Sequence, residues 1–137
     1  MKNRIFFVCV HNAGRSQMAK AFFNKLVPED SNWYAESAGT EPSENINPIV
    51  VEALNELLID ITREKPHELD FNKITNKDRL ISMGCNIHES CPITFRDAIE
   101  DWDLEDPHNQ GIEKIREIRD IIKLKVVALI QELSKSN

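Results

Sequence analysis

Val8-Cys9-Val10-His11-Asn12-Ala13-Gly14-Arg15-Ser16-Gln17-Met18 joins an apolar run, Ile5 to Val10, to a helical pattern that begins at Ser16. The reading is strand, loop, helix. The first amides of a helix have no internal partners, so a loop that empties into a helix N-terminus aims several N–H groups and a positive dipole end at one point. An oxyanion fits there. Gly14 lets the backbone turn tightly, and Arg15 supplies a planar fork of donors that matches two oxygens of a tetrahedral anion. Val10, His11, Asn12, Ala13, Gly14 and Arg15 are the expected oxyanion-binding residues, with His11 contributing backbone and packing rather than acid–base work. The same field acts on Cys9: a thiol facing a helix N-terminus and a guanidinium loses its proton more easily and becomes a nucleophile near neutral pH. A lone cysteine at a strand end is commonly a small buried hydrophobe. Asn12, Gly14, Arg15 and Ser16 at this spacing favour chemistry instead.

Working outward, Arg4 to Val10 is continuous, apolar and β-branched or aromatic, the signature of a strand buried on both faces in a parallel sheet. Ser16 to Val27 is a helix with Met18, Ala21, Phe22 and Leu26 at helical spacing, so Met18 and Phe22 belong to the core. Pro28 stops it. Trp33 to Ser37 is a second strand, and the turn-rich Ala38 to Ser43 lies near the first loop if the two connections leave the same sheet edge. Asn47-Pro48 starts a helix that runs to about Ile59, its apolar face formed by Ile49, Val50, Ala53, Leu54, Leu57 and Leu58. Asp60 to Asp78 is polar, with a short helix around Leu69 to Thr75. Arg79 to Met83 is the third strand, ended by Gly84, and Ala98 to Trp102 suggests a short fourth. A long C-terminal helix carries Ile112, Ile115, Ile118, Ile121, Ile122, Val126, Leu129, Ile130 and Leu133 on its buried face and charge on a solvated one. Strands alternating with helices predict a doubly wound α/β sheet with the site at the C-terminal strand ends.

The 137 residues form one domain, 1–137, with no repeats or linkers. A formal net charge of −6 argues against a nucleic-acid partner or an anionic membrane surface. Any anion must be bound locally. The apolar run after Lys2 and Arg4 is too short for an export signal, and no stretch approaches a membrane span. Three cysteines without an export signal fit a reducing cytoplasm.

A cysteine, five residues, then Arg-Ser on a first strand-to-helix turn resembles the phosphate loop of the low-molecular-weight protein tyrosine phosphatases and of the arsenate reductases that share their fold. Arg15-Ser16-Gln17-Met18-Ala19 is more similar to the reductase branch. The resemblance implies a single-domain, four-stranded parallel sheet flanked by helices. It also implies that Ser16 donates a hydrogen bond to the Cys9 thiolate, and that a cysteine pair after the third strand relays oxidation away from the nucleophile. Cys85 and Cys91, in Gly84-Cys85-Asn86-Ile87-His88-Glu89-Ser90-Cys91-Pro92, occupy those places. Residues six apart on an ideal helix lie about 9 Å apart along its axis, beyond the roughly 7 Å over which a disulfide can bridge Cα atoms. A Cys85–Cys91 bond therefore needs a loop, or a helix that unwinds on oxidation. Two readings of these residues compete: inert buried thiols, or zinc ligation by Cys85, His88 and Cys91, for which a fourth ligand and a second paired set are missing.

In Glu100-Asp101-Trp102-Asp103-Leu104-Glu105-Asp106-Pro107, Asp101, Asp103 and Glu105 read as a solvated acidic loop. Asp106-Pro107 matches an Asp-Pro dipeptide that both branches of the family place over the phosphate loop. The resemblance makes its aspartate the acid that protonates the leaving oxygen, a group that departs poorly unaided. Two departures stand out. Lys20 occupies a position where some thioredoxin-coupled reductases carry an acidic residue that helps hold potassium, and Cys85 and Cys91 are one residue closer than in the best-known bacterial members. The expected activity is cytoplasmic arsenate reduction and arsenic detoxification. Its catalytic residues are Cys9, Arg15, Ser16, Cys85, Cys91 and Asp106, with phosphate or sulfate as competing oxyanions and a thioredoxin-like reductant. No metal or cofactor is expected, and the chain is expected to be a monomer. The rival enzyme is a phosphatase working through a cysteinyl-phosphate, and the rival outside enzymology is a redox- or metal-sensing module built on Cys85, His88 and Cys91.

Overall fold

The computed structural model describes residues 2–84 and 99–135. In chain order these form β1 (Asn3–Cys9), α1 (Arg15–Leu26), β2 (Trp33–Gly39), α2 (Pro48–Asn55), β3 (Arg79–Ser82), β4 (Ile99–Asp101) and α3 (Ile112–Lys135). The four strands are parallel, in the order β2-β1-β3-β4. β1 is central because it is apolar on both faces: it pairs with β2 from Asn3↔Trp33 to Cys9↔Gly39 and with β3 from Ile5↔Arg79 to Val8↔Ser82. Its side chains alternate. Ile5, Phe7 and Cys9 enter the main core with Met18, Phe22, Phe23, Val50, Leu54, Ile115 and Ile122, whereas Val8 packs with Ala38, Leu69, Ile74 and Leu80 on the other face. The strand order sends the chain first to one side of β1 and then to the other, which opens a crevice at the carboxyl ends of β1 and β3. Cys9 ends β1 in that crevice.

Helix ends show where local sequence was overruled. α1 begins at Arg15, one residue before the predicted Ser16, and ends at Leu26, where Val27 turns extended while its N–H still reaches Phe23 O at 2.9 Å. Met18 and Phe22 are buried, as expected. α2 starts where Asn47 predicts, the Asn47 Oδ1 accepting from the Ile49 N–H at 3.0 Å. It stops at Asn55 rather than near Ile59, because Leu58 takes a left-handed conformation (φ 63°) and the Ile59 N–H returns to Leu54 O at 3.0 Å. This is a helix-terminating turn made without glycine. The helix expected around Leu69 to Thr75 is a single 3-10 turn, Phe71–Lys73, capped by Asp70.

α3 buries Ile115, Ile118, Ile122, Val126, Leu129 and Leu133, a stripe of three- and four-residue steps. Ile121, predicted to share that stripe, is half exposed instead, and Leu124 beside it is largely in solvent. The opposite face is therefore not purely charged. Arg119 takes part of the buried face: its Nη1 donates to Ala53 O at 2.8 Å and to Glu56 Oε1 at 2.9 Å, placing a cation at the carbonyl end of α2. Among the described residues no helix is long and apolar enough to cross a membrane.

Candidate active site

The loop between β1 and α1 is zipped to the segment after β2. Thr40 N–H donates to Cys9 O at 3.1 Å, Glu41 N–H to Val10 O at 2.8 Å, Ser43 N–H to His11 O at 3.0 Å and Asn47 N–H to Ala13 O at 2.9 Å. Such closeness demands Gly39, since a Cβ there would sit 2.5 Å from Val10 O and 3.0 Å from Asn12 N. With four carbonyls turned toward residues 40–47, the loop carries its amides toward the other side, the concave arrangement that suits an anion. Val10, His11, Ala13, Gly14 and Arg15 line a cavity of about 380 Å³ with Cys9 in its wall, and Ser43, Asn47, Asp106, Pro107 and His108 complete the lining. His11 departs from the expected packing role, since its ring is exposed and Nδ1 contacts Glu41 O at 3.1 Å.

Cys9 is buried, and its sulfur sits 3.0 Å from Ser16 Oγ and accepts the Asn12 N–H at 3.0 Å. Asn12 is fully buried in a left-handed conformation (φ 52°), which asparagine tolerates better than most residues. Its Nδ2 donates to Ser16 Oγ at 2.7 Å. Donors on the sulfur favour the thiolate over the thiol.

Arg15 is anchored from behind. Its Nη1 donates to Met83 O at 2.6 Å and to Leu104 O at 2.8 Å, while Nη2 lies 3.9 Å from Asp106 Oδ1. The expected free fork is thus shared: Nη1 holds the carbonyls that follow β3 and β4, while Arg15 also lines the cavity with Nη2 beside Asp106. Asp106 is two-thirds exposed, accepts the His108 N–H at 2.9 Å, and belongs to an arch whose Pro107 Cγ lies 3.1 Å from the place a Cβ on Gly14 would take.

Asp101 is exposed, as the reading of a solvated acidic residue expects, but it ends β4 and also holds backbone in place. Its Oδ1 accepts from Ser82 Oγ at 3.0 Å, Gly84 N at 2.8 Å and Asp103 N at 3.0 Å. Gly84 (φ 87°) and Asp103 (φ 49°) both hold left-handed backbone around this oxygen, and between them Trp102 packs its ring 5.4 Å from that of Phe7. The bond to Asp103 is a local turn contact, but the partners that tie Asp101 to the sheet, Ser82 and Gly84, come from the end of β3 and the positions just after it and leave no local signal.

These features are a cysteine sulfur in contact with a backbone N–H and a serine hydroxyl, a helix that starts just after the loop and an Asp-Pro arch across the cavity. The family model for low molecular weight phosphotyrosine protein phosphatases matches residues 4–137. The chain belongs to that family. A Halobacterium salinarum protein provisionally named an arsenate reductase is 37% identical over 132 residues, covering 93% of this chain and 91% of that one. The solved thioredoxin-dependent arsenate reductase of Corynebacterium glutamicum is 34% identical with a TM-score of 0.79, across 99% of this chain and 64% of that one. A low molecular weight protein tyrosine phosphatase of T. tengcongensis superposes with a TM-score of 0.84 at 26% identity, across 96% of this chain and all of that one. For this member of the family, then, the four-stranded parallel sheet is the family fold.

Of the sequence-predicted site residues, the structure brings Cys9, Arg15 and Asp106 together around one cavity, with Ser16 buried against the Cys9 sulfur. Cys85, His88 and Cys91 lie outside the described residues. Gly84, just before them, does not: through Asp101 and the Met83 carbonyl, the end of β3 is fastened to Arg15 and the arch. Lys20 pairs with Glu64 at 3.6 Å, on the flank of α1. Among the described residues no three His, Cys, Asp or Glu side chains form a group that could hold a metal ion.

Proposed function

We propose that the protein reduces arsenate to arsenite in the cytoplasm and contributes to arsenic detoxification. The observation that carries this reading is the fastening of the β3 exit to the anion loop, Arg15 Nη1 to Met83 O at 2.6 Å, two residues before Cys85. Hydrolysis has no use for a thiol there. A redox relay does.

Arsenate is held by the amides of residues 10–15 and the free donors of Arg15. The Cys9 thiolate, favoured by the Asn12 N–H and the Ser16 hydroxyl, attacks arsenic, and Asp106 protonates the departing oxygen, leaving a thiol–arsenate adduct. The Cys85 thiolate then attacks Cys9 Sγ. The new S–S bond forms as the S–As bond breaks, its electron pair remains on arsenic, and arsenite leaves. Cys91 attacks Cys85, Cys9 departs as thiolate, and the Cys85–Cys91 disulfide takes two electrons from a thioredoxin-like dithiol. Phosphate and sulfate compete as oxyanions, and neither metal nor organic cofactor enters. The provisional name of the Halobacterium salinarum relative and the thioredoxin dependence of the Corynebacterium glutamicum enzyme support the substrate and the reductant.

The second reading is a phosphatase, favoured by the likeness to the T. tengcongensis enzyme. Arsenate turnover coupled to a thioredoxin system, in the wild type and in Cys85→Ser, tests the proposal. Turnover that disappears in the variant supports it, while hydrolysis of phosphate esters unaffected by Cys85→Ser, with no arsenate turnover in either protein, makes the phosphatase the better reading.

A further inference from the structure

Gln17 is almost wholly buried at the third position of α1, and nothing in the mechanism above uses it. Side chains in a first helical turn lean back toward the N-terminus. Gln17 Nε2 accordingly donates to Asn12 O at 3.1 Å, to Asn12 Oδ1 at 3.0 Å and to Lys65 O at 3.3 Å. Asn12 Oδ1 also accepts the His67 backbone N–H at 2.9 Å.

These contacts fix a direction. A backbone N–H can only donate, and Gln17 presents its amide nitrogen to three oxygens, so both lone pairs of Asn12 Oδ1 are occupied. The other end of the Asn12 amide must then be the donor that meets Ser16 Oγ at 2.7 Å. Ser16, accepting there, has its own proton free for Cys9 Sγ, 3.0 Å away. The chain runs Gln17 to Asn12 to Ser16 to Cys9, with every proton pointing at the sulfur. Gln17 also grips the main-chain carbonyl of Asn12, the residue in left-handed backbone whose N–H is the second donor to Cys9.

We infer that Gln17 is a positioning residue for the nucleophile: by donating to both oxygens of Asn12 it holds, together with the His67 N–H, the placement and polarity of the hydrogen bonds that stabilise the Cys9 thiolate. The inference rests on Cys9 being the nucleophile and is independent of which oxyanion Cys9 attacks.

The test is the pH dependence of Cys9 alkylation by iodoacetamide, with Cys9 resolved from Cys85 and Cys91 by peptide mass spectrometry. It needs no turnover, so it stands apart from the arsenate assay. Gln17→Met keeps the length of the side chain and removes the donors. The midpoint should rise by about one pH unit, a tenfold loss of thiolate below it, the size of weakening one hydrogen bond to a charged group. Ser16→Ala should raise it as well, and the double variant should rise by less than the sum of the two shifts, because part of the Gln17 effect passes through Ser16 and the rest through the Asn12 N–H. Gln17→Glu, isosteric with the native residue, carries the same comparison should Gln17→Met not fold. It turns a donor into acceptors facing three oxygens and should raise the midpoint at least as far. An unchanged midpoint in the folded variant, or shifts that add in the double variant, would overturn the assignment and leave Gln17 a packing residue.

Discussion

The loop at residues 9–16 and the arch at residues 101–108 face each other across one cavity, yet they are held in opposite ways. The loop's side-chain network is buried and closes on itself, Cys9, Asn12, Ser16 and Gln17 satisfying one another within nine residues, while its carbonyls are held by the segment after β2. The arch is mostly exposed and borrows its shape, from Asp101 bonded to Ser82 and Gly84, and from Arg15 bonded to Leu104 O. A nucleophile needs fixed donors in a place without water. A proton donor must exchange with solvent between turnovers, which the two-thirds exposure of Asp106 permits.

Changes at the loop should therefore be severe and changes at the arch graded. Cys9→Ser should remove arsenate reduction and any aryl-phosphate hydrolysis altogether, since a serine hydroxyl stays protonated where the thiol ionises. Oxyanion binding, read by calorimetry with phosphate, should survive. Substantial turnover by this variant would take the nucleophile's role from Cys9.

Arg15→Lys should cost on the order of a hundredfold or more in single-turnover rate, the size of deleting one oxyanion donor. It strikes both regions, because a lysine cannot hold Met83 O and Leu104 O while still offering a fork to the anion. A variant within a few-fold of wild type would show that the anion depends on loop amides alone.

Asp101→Ala tests whether the arch is truly borrowed. With three donors released, kcat should fall roughly tenfold to a hundredfold through misplacement of Asp106, with KM little changed. Asp101→Asn, whose Oδ1 still accepts, should stay within a few-fold. Equal damage from both variants would mean that the charge matters and not the acceptor.

The smallest effect lies away from the cavity and serves as the reference. Hydrogen bonds from Arg116 and Arg119 hold the Glu56 carboxyl down to about 2 from its ordinary 4.5. A depressed folded value means the stabilisation is complete above the unfolded value and fades as pH falls from about 4.5 through about 2. The urea midpoint of wild type should therefore drop between pH 5 and pH 3 more than that of Glu56→Gln, by a small margin for a surface pair. Parallel pH dependences would assign the acid sensitivity to other carboxyls.

The loop was legible because its information is local. A buried strand, a cysteine at its end, a glycine, an arginine and a helix start follow one another in sequence, and the helix N-terminus does the rest wherever it is packed. Asp106 was legible only by likeness to a known Asp-Pro arch. Gln17 was quoted within the opening stretch and assigned no role, although a glutamine in the first helical turn commonly reaches back toward the cap, a signal that could have found it. Ile121 failed for a simpler reason: an isoleucine on a helix fits the apolar period until the neighbouring elements decide how wide the buried stripe is.

By itself the sequence determined the strand–loop–helix unit, the parallel sheet and the identity of the thiol and guanidinium, since each depends on the order of a few neighbouring residues. The tertiary structure alone decided that Asp101 is a clamp, that one nitrogen of the Arg15 guanidinium is spent on Met83 and Leu104, and that the Asn12 amide points its donor at Ser16. Those three facts depend on β3, on the chain after β4 and on the His67 backbone arriving at one place. A hydrogen bond has a direction and a length of about 3 Å, and residues 19 to 89 positions apart can satisfy it only after the sheet has fixed where each of them lies.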